Sequence, residues 1–207
     1  MSSSQCFENP PSKNAAYGAG TVQELGGLTA YLTGPPDSKL AILLISDVFG
    51  YEVPNLRKLA DKVAAAGYFV VVPDFFYGDP ADIDNPQFDR EAWKKEKGFE
   101  DAKPVIAALK SKGVSAIGAA GFCWGGMVVV NLASSDDIQA AVVLRPGGIT
   151  EKKSRVSFAF SSSINKCLSL MANWDIASEV KVPIAILGAE IDHLSPPEQL
   201  KQFGDML

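Results

Sequence analysis

One stretch of the sequence combines a nucleophile with the residues that could present it: Gly121-Phe122-Cys123-Trp124-Gly125-Gly126. The apolar run 114–120 before it is typical of a buried strand, and the run 127–133 after it is apolar on every side, like a buried helix. A cysteine between small residues at a sharp strand-to-helix turn is the pattern of a nucleophile elbow. The helix N-terminus would favour the thiolate of Cys123, and the Trp124 N–H could hold an oxyanion. The alternative is a cysteine that only packs behind a turn.

Apolar runs and turn residues predict the elements that position this cysteine. Runs of alternating polarity on both sides of Gly26-Gly27 predict an antiparallel hairpin. The apolar residues from Val53 onward have helical spacing, which predicts a helix that ends at Gly67. A second helix is expected to begin at Pro104 and to end at Gly113. The long connection 75–97 is expected to be helical from about Gln87. Solid apolar runs predict strands at 40–45, 68–72, 138–144 and 182–187.

Strands that alternate with helices predict a parallel sheet covered by helices on both faces. Ligands of such sheets bind at the carboxyl ends of the strands. Asp47, Cys123 and Asp192 each follow closely on a predicted strand. We therefore expect all three at one edge of the sheet.

Bulk properties predict one soluble domain over residues 1–207, since 47% of the residues are hydrophobic and 21% are charged. The formal net charge of −5 argues against nucleic-acid binding, and the apolar runs are too short to cross a membrane. Three cysteines and an N-terminus without an apolar signal core predict a cytoplasmic protein. Residues 1–20 are expected to be loosely ordered, and 147–178 read as an atypical insert.

With these residues laid out, the chain resembles the dienelactone hydrolase family, a group with the α/β-hydrolase fold. Some plant members of that family carry an endo-1,3;1,4-β-glucanase label. The resemblance covers roughly residues 20–145 and 180–207. Its most specific segments are Ser46-Asp47-Val48-Phe49-Gly50, Pro73-Asp74, 121–126 and 188–193.

The resemblance implies a Cys–His–Asp triad that opens an ester or a lactone without a cofactor or a metal. It assigns the nucleophile to Cys123 and the triad acid to Asp192. The N–H of Val48 would be the second oxyanion donor, beside that of Trp124. Asp47 stands where the family has the acidic residue described as holding the resting thiol.

The chain also departs from the family pattern. The family's triad histidine lies beyond the acid, whereas the single histidine of this sequence, His193, adjoins Asp192. Consecutive side chains diverge, so His193 is expected to line the pocket, with Phe49 and Arg90 as further substrate contacts. The chain resembles a variant without the C-terminal strand and helix, which predicts an unpaired sheet edge and self-association through it.

Three functions remain open at this point. The first is a thiol hydrolase that acts on a small ester or lactone. The second is an inactive variant that binds small carbonyl compounds. The third, a β-glucan hydrolase, needs two carboxylates that flank one glycosidic bond and gives a cysteine elbow no role.

Overall fold

The computed structural model describes residues 17–89, 97–146 and 181–187. Within these ranges the strands are β1 (Thr21–Leu25), β2 (Leu28–Thr33), β3 (Leu40–Ile45), β4 (Phe69–Pro73), β5 (Ala116–Cys123), β6 (Ala140–Pro146) and β7 (Ile184–Leu187). The helices are α1 (Pro54–Ala64), α2 (Gly98–Ser111) and α3 (Trp124–Ala133). No helix in the described part of the chain is both long enough and apolar enough to span a membrane.

The strands form one sheet in the order β1-β2-β4-β3-β5-β6-β7. The pairs β1–β2 and β2–β4 are antiparallel, and every other neighbouring pair is parallel. The hairpin predicted at Gly26-Gly27 and the mostly parallel sheet are confirmed. Because the parallel strands share one direction, their carboxyl ends meet at a single edge.

Helices cover both faces of the sheet, as the alternation predicts. Successive residues of a strand point to opposite faces, which explains why the central strands are solid apolar runs. One core cluster joins the sheet to α2 and α3, and it includes Leu43, Val71, Ile117, Val105, Ile106 and Val129. The other joins the opposite face to α1, and it includes Leu44, Val70, Val72, Leu56 and Ala60.

Helix α2 differs from the prediction. It begins at Gly98, so Pro104 lies in its interior rather than in its first turn. Glu100 and Asp101 occupy the first turn, where carboxylates interact favourably with the helix dipole. A Cβ atom on Gly26 would lie 2.6 Å from the carbonyl carbon of Pro104, so the β1–β2 turn packs directly on the backbone of α2 at this point. Gly113, with φ of +87°, follows the end of the helix as predicted.

The connection after β4 also differs. Residues 75–89 contain turns and no helix, so the helix expected from Gln87 is absent over 87–89. Asp74 organises the start of this connection, because its carboxylate accepts the N–H groups of Phe76 (3.1 Å) and Gly78 (2.6 Å). The predicted insert 147–178 lies outside the described residues.

Asp61 of α1 ties the helix to the sheet and to the segment before β1. Its carboxylate accepts hydrogen bonds from the Tyr31 hydroxyl (2.6 Å), the Thr33 hydroxyl (2.8 Å) and the Ala19 N–H (3.0 Å). The Gly20 N–H in turn donates to the Tyr31 hydroxyl at 2.7 Å. Residues 17–20, expected to be loosely ordered, are therefore held by α1 and β2.

We expect Asp61→Asn to lower the free energy of unfolding at neutral pH by about 1–3 kcal/mol, since one charged acceptor serves three donors. Burial raises the pKa of Asp61, but the hydrogen bonds from Tyr31, Ala19 and Thr33 and the charge of Arg57 lower it overall. The contribution of the carboxylate is therefore complete above its unfolded pKa of about 3.9 and is lost as the pH falls through the lower folded pKa.

Urea unfolding from pH 2.5 to 7, with Asp61→Asn compared with the wild type, measures this dependence. Asp37→Asn, at an exposed carboxylate, is the control. A stability difference that stayed constant across this pH range would contradict the ionic origin of the effect.

Candidate active site

Cys123 lies at the junction of β5 and α3, as the last residue of the strand and the N-cap of the helix. Its φ is +47° and its ψ is −110°, a conformation that residues with a side chain rarely adopt. Such strain persists only where the surrounding structure imposes it, and it is concentrated at functional sites. The predicted tight turn at the carboxyl edge of the sheet is confirmed.

Two glycines allow this turn. A Cβ atom on Gly121 would collide with the carbonyl oxygen of Gly125 and would lie 2.8 Å from Cγ2 of Val129. A Cβ atom on Gly125 would lie 2.5 Å from the carbonyl oxygen of Ser46, at the end of β3. Because neither glycine has a side chain, the start of α3 can pack directly against both β5 and β3.

Strand register brings Asp47 to the same edge as Cys123. β3 and β5 are adjacent and parallel, and Ile45 pairs with Gly121. Asp47 and Cys123 each lie two residues beyond that pair, so both stand at the carboxyl edge of the sheet. The sequence expectation that these two residues converge on one edge agrees with this register.

The backbone around the turn offers hydrogen-bond donors. The Val48 carbonyl accepts the Ala81 N–H at 2.9 Å, whereas the Val48 N–H donates to no acceptor among the described residues. Trp124 is the first residue of α3, and the first N–H groups of a helix have no acceptor within the helix itself. Both expected oxyanion donors therefore belong to the segments that border Cys123.

The Asp47 carboxylate is half-buried and accepts the Phe49 N–H at 3.0 Å. Burial raises its pKa above the ordinary aspartate value, and the hydrogen bond from Phe49 opposes that rise only in part. The Phe49 side chain packs against the core cluster on the α2 and α3 face. Asp47 is thus an acid whose charged form is disfavoured by its surroundings.

We expect Asp47→Asn to raise stability at neutral pH. Below about pH 3.9 the carboxyl is protonated in the folded and the unfolded chain, and the ionisation penalty is absent. The penalty develops as the pH rises from that value through the higher folded pKa. The asparagine carries no charge and can keep the bond from Phe49. Thermal melts from pH 4 to 8 should show the variant gaining on the wild type as the pH rises, and parallel curves would contradict this expectation.

The Trp124 ring is part of the core. It packs against the rings of Phe76 and Phe75, with centroids 4.8 Å and 6.0 Å away. A Cβ atom on Gly98 would lie 2.7 Å from the Trp124 ring, so α2 also contacts it closely. Phe122 packs into the other core cluster. The two rings therefore pack on opposite faces of the sheet.

The remaining predicted site residues, Asp192, His193 and Arg90, lie outside the described residues. β7 ends at Leu187, which pairs with Leu144 of β6, so it ends at the same edge as β5 and β6.

In this structure the Cys123 sulfur is disulfide-bonded, so only the reduced protein can present a thiolate at this position. The described residues contain no cluster of three or more histidine, cysteine or acidic side chains that could hold a metal ion.

Sequence reasoning missed Arg57, which is only 4% exposed. It contacts Tyr51, the residue that follows the Asp47–Gly50 turn. A signal for its burial exists in the sequence, because Arg57 lies four residues after Val53 and three before Ala60, on the apolar stripe of α1. An arginine on such a stripe is either paired inside or extended to solvent, and the spacing does not distinguish these cases.

The family model that describes the dienelactone hydrolase family matches residues 28–207. The chain belongs to the dienelactone hydrolase family. The matched range contains the Cys123 turn, Asp47 and Val48, so the site described above lies within the family's own region. The family resemblance carried by the sequence motifs is thereby confirmed.

Two relatives are similar to this chain over most of its length. An endo-1,3;1,4-beta-D-glucanase of Zea mays is 41% identical over 212 residues, covering 99% of this chain and 62% of the maize protein. A carboxymethylenebutenolidase homolog of Xenopus tropicalis is 30% identical over 199 residues, covering 92% of this chain and 72% of that protein. The chain thus spans less than two thirds of the length of the maize relative.

Solved structures agree with the fold. A dienelactone hydrolase-like promiscuous phosphotriesterase from metagenomic libraries superposes with a TM-score of 0.60 at 16% identity, covering 91% of this chain and 76% of that one. Est1E from Butyrivibrio proteoclasticus gives a TM-score of 0.53 at 18% identity, with 88% and 85% covered. At these identities the likeness supports the α/β-hydrolase fold that the sequence analysis expected.

Proposed function

We propose that the reduced protein is a thiol hydrolase that attacks a small ester or lactone through Cys123. The observation that carries the proposal is the positive φ of Cys123 at the first turn of α3. This conformation holds the residue between a strand end and a helix N-terminus, where the helix dipole favours a thiolate. A cysteine that served only the core would not need a strained backbone.

The proposed chemistry begins when the thiolate adds to the carbonyl carbon. The developing oxyanion accepts the N–H groups of Val48 and Trp124. One such donor is worth roughly 3 kcal/mol of transition-state stabilisation. Expulsion of the alcohol leaves a thioester on Cys123, and water then cleaves it. Because Cys123 must be reduced to react, the proposal fits a reducing compartment such as the cytoplasm.

Deacylation needs a proton acceptor for water. Asp192 is the proposed triad acid, and His193 is the single histidine of the 207 residues. Adjacent side chains diverge, so we propose that His193 contacts the substrate and is not a base oriented by Asp192. We propose Arg90 and Phe49 as further contacts of the substrate. The second candidate is an inactive protein that only binds small carbonyl compounds.

The name of the maize relative raises β-glucan hydrolysis as a third candidate. Glycoside hydrolysis uses two carboxylates that flank the bond. Asp47 is one acid at the carboxyl edge of the sheet. Asp74 follows β4 at the same edge, but both of its carboxylate oxygens accept backbone N–H groups, which favours a structural role. The strained cysteine has no part in that chemistry, so we rank it below thiol hydrolysis.

The test compares p-nitrophenyl acetate, the lactone dihydrocoumarin and mixed-linkage β-glucan, each with reduced wild type and with Cys123→Ala. We expect the wild type to react with the ester and the lactone, and the variant with neither. Reducing-sugar release from the glucan that survives in Cys123→Ala would overturn the proposal in favour of a glycosidase.

Alkylation identifies the nucleophile separately. In native reduced protein, iodoacetamide should modify Cys123 faster than Cys6 or Cys167, read by peptide mass against pH. Faster labelling of Cys6 or Cys167 would contradict the assignment.

A further inference from the structure

The guanidinium of Arg57 is buried beneath the turn that carries the proposed oxyanion donor. Its Nε donates to the Tyr51 carbonyl oxygen at 3.3 Å, and its Nη1 donates to the Tyr17 carbonyl oxygen at 3.3 Å. Its central carbon lies 4.9 Å from the centroid of the Tyr31 ring and 5.2 Å from that of Tyr51. The charged group thus contacts two rings and two carbonyl groups, and the exposed Glu52 carboxylate lies 4.0 Å from its Nη2.

Other contacts also hold the segment Asp47–Tyr51: the Asp47 carboxylate accepts the Phe49 N–H at 3.0 Å, and the Val48 side chain is fully buried in the core. The Asp47 carbonyl accepts the Gly50 N–H at 3.3 Å, which closes a turn around Val48. The Val48 carbonyl is held by Ala81 from the connection after β4. Arg57 holds the far end of the turn through Tyr51. Among the described residues, nothing accepts the Val48 N–H itself, so its direction depends on these neighbouring contacts.

Burying a guanidinium contributes little net stability, because its desolvation opposes its interactions. Arginine does offer N–H donors in a fixed plane, together with a flat face that stacks on aromatic rings. Both features act on Tyr51, the residue that follows the turn, and they also reach the Tyr17 carbonyl and the Tyr31 ring. The arrangement is suited to holding backbone in one position.

We propose that Arg57 is a positioning residue for the oxyanion hole: it fixes the segment Asp47–Tyr51 and thereby aims the Val48 N–H at the carbonyl that Cys123 attacks. This inference rests on the proposed thiol hydrolysis. Arg57 has no direct part in the chemistry. Its removal should affect steps in which an oxyanion develops and should leave other reactions of the thiol unchanged.

The variants Arg57→Met and Arg57→Lys test this role. Methionine keeps much of the apolar stem, and lysine keeps the charge but lacks the planar group. Lys62→Met, at an exposed position of the same helix, is the matched control. We expect both Arg57 variants to slow acylation by p-nitrophenyl acetate by about 10- to 100-fold, mainly in the maximal acylation rate, because a small misplacement of a catalytic group has effects of this size.

Alkylation by iodoacetamide separates positioning from folding, since displacement of iodide creates no oxyanion. The rate of alkylation at Cys123 should stay within about twofold of the wild-type rate. This change is small compared with the roughly 100-fold effect that misplacement of a catalytic group can have. Unchanged acylation in folded Arg57→Met would overturn the proposal. Equal loss of acylation and alkylation would also overturn it, because Arg57 would then act on the thiol or on the whole fold.

Hydrogen exchange gives a readout that is independent of activity. Peptides covering 46–51 should exchange faster in Arg57→Met than in Lys62→Met, while peptides from α3 should not differ. If the wild type is alkylated but never acylated, the proposed hydrolysis fails and exchange alone decides the role of Arg57. Equal exchange over 46–51 in the two variants would then refute the positioning role.

Discussion

Reduced wild-type protein mixed with p-nitrophenyl acetate is expected to release about one equivalent of nitrophenol per chain in a fast phase, followed by a much slower phase. The first phase is acylation of Cys123, which a helix-stabilised thiolate and the Val48 and Trp124 N–H groups can support. The second is deacylation, which requires a base that activates water. Cys123→Ala should lose the fast phase entirely, because no thiol remains to be acylated and the remaining groups act only through binding and oxyanion stabilisation.

Intact mass measured after the fast phase should show one added acetyl group, and peptide mapping should place it on Cys123. His193→Ala is the informative companion variant, because His193 is the single histidine in the 207 residues. We expect this variant to keep the fast phase. Rapid continuous turnover that His193→Ala abolishes would show that His193 is the base and would contradict its proposed place among the substrate contacts.

Gly121→Ala is expected to cost about 3 kcal/mol of folding free energy and to abolish acylation, since overpacking against fixed atoms forces the backbone to move. A Cβ atom there would meet the carbonyl oxygen of Gly125 in the first turn of α3. Backbone atoms of a packed helix cannot yield as a flexible side chain can. Relief requires α3 to shift away from β5, which removes Cys123 from its position.

Gly118→Ala is the matched control in the same strand. Its added Cβ atom would lie 2.9 Å from Cδ1 of Ile42, the flexible end of a side chain, so we expect a cost below about 1 kcal/mol. Urea unfolding and the nitrophenol fast phase measure both variants. If Gly121→Ala matched Gly118→Ala in stability and acylation, the close approach of α3 would not be what holds the turn.

Much of the fold follows from local pattern. The solid run Leu40–Ile45 is of the kind found in a strand covered on both faces, and Gly26-Gly27 between alternating runs is typical of a tight hairpin turn. The Cys123 turn was predictable for the same reason: its glycines and flanking apolar runs are all within a few residues of one another. Local steric rules act over that distance, so the sequence is sufficient to predict this turn.

Errors arose where distant contacts outweigh local preference. Pro104 normally favours a first helical turn, yet α2 begins at Gly98, where Trp124 and Val128 of α3 pack against a residue without a side chain. Helix propensity is a weak preference, and tertiary packing routinely overrides it.

For the site as well, some properties follow from the sequence and others only from the tertiary structure. Sequence alone singled out Cys123 as the proposed nucleophile, because its thiol lies among small residues between a predicted strand and a predicted helix. It did not determine that Arg57 is buried under the Asp47–Tyr51 segment, or that burial raises the pKa of Asp47. Solvation and stacking depend on which side chains from separate elements surround a group. Only the tertiary structure decides that, because the pairing of β3 with β5 and the packing of α1 bring together residues that are far apart in the chain.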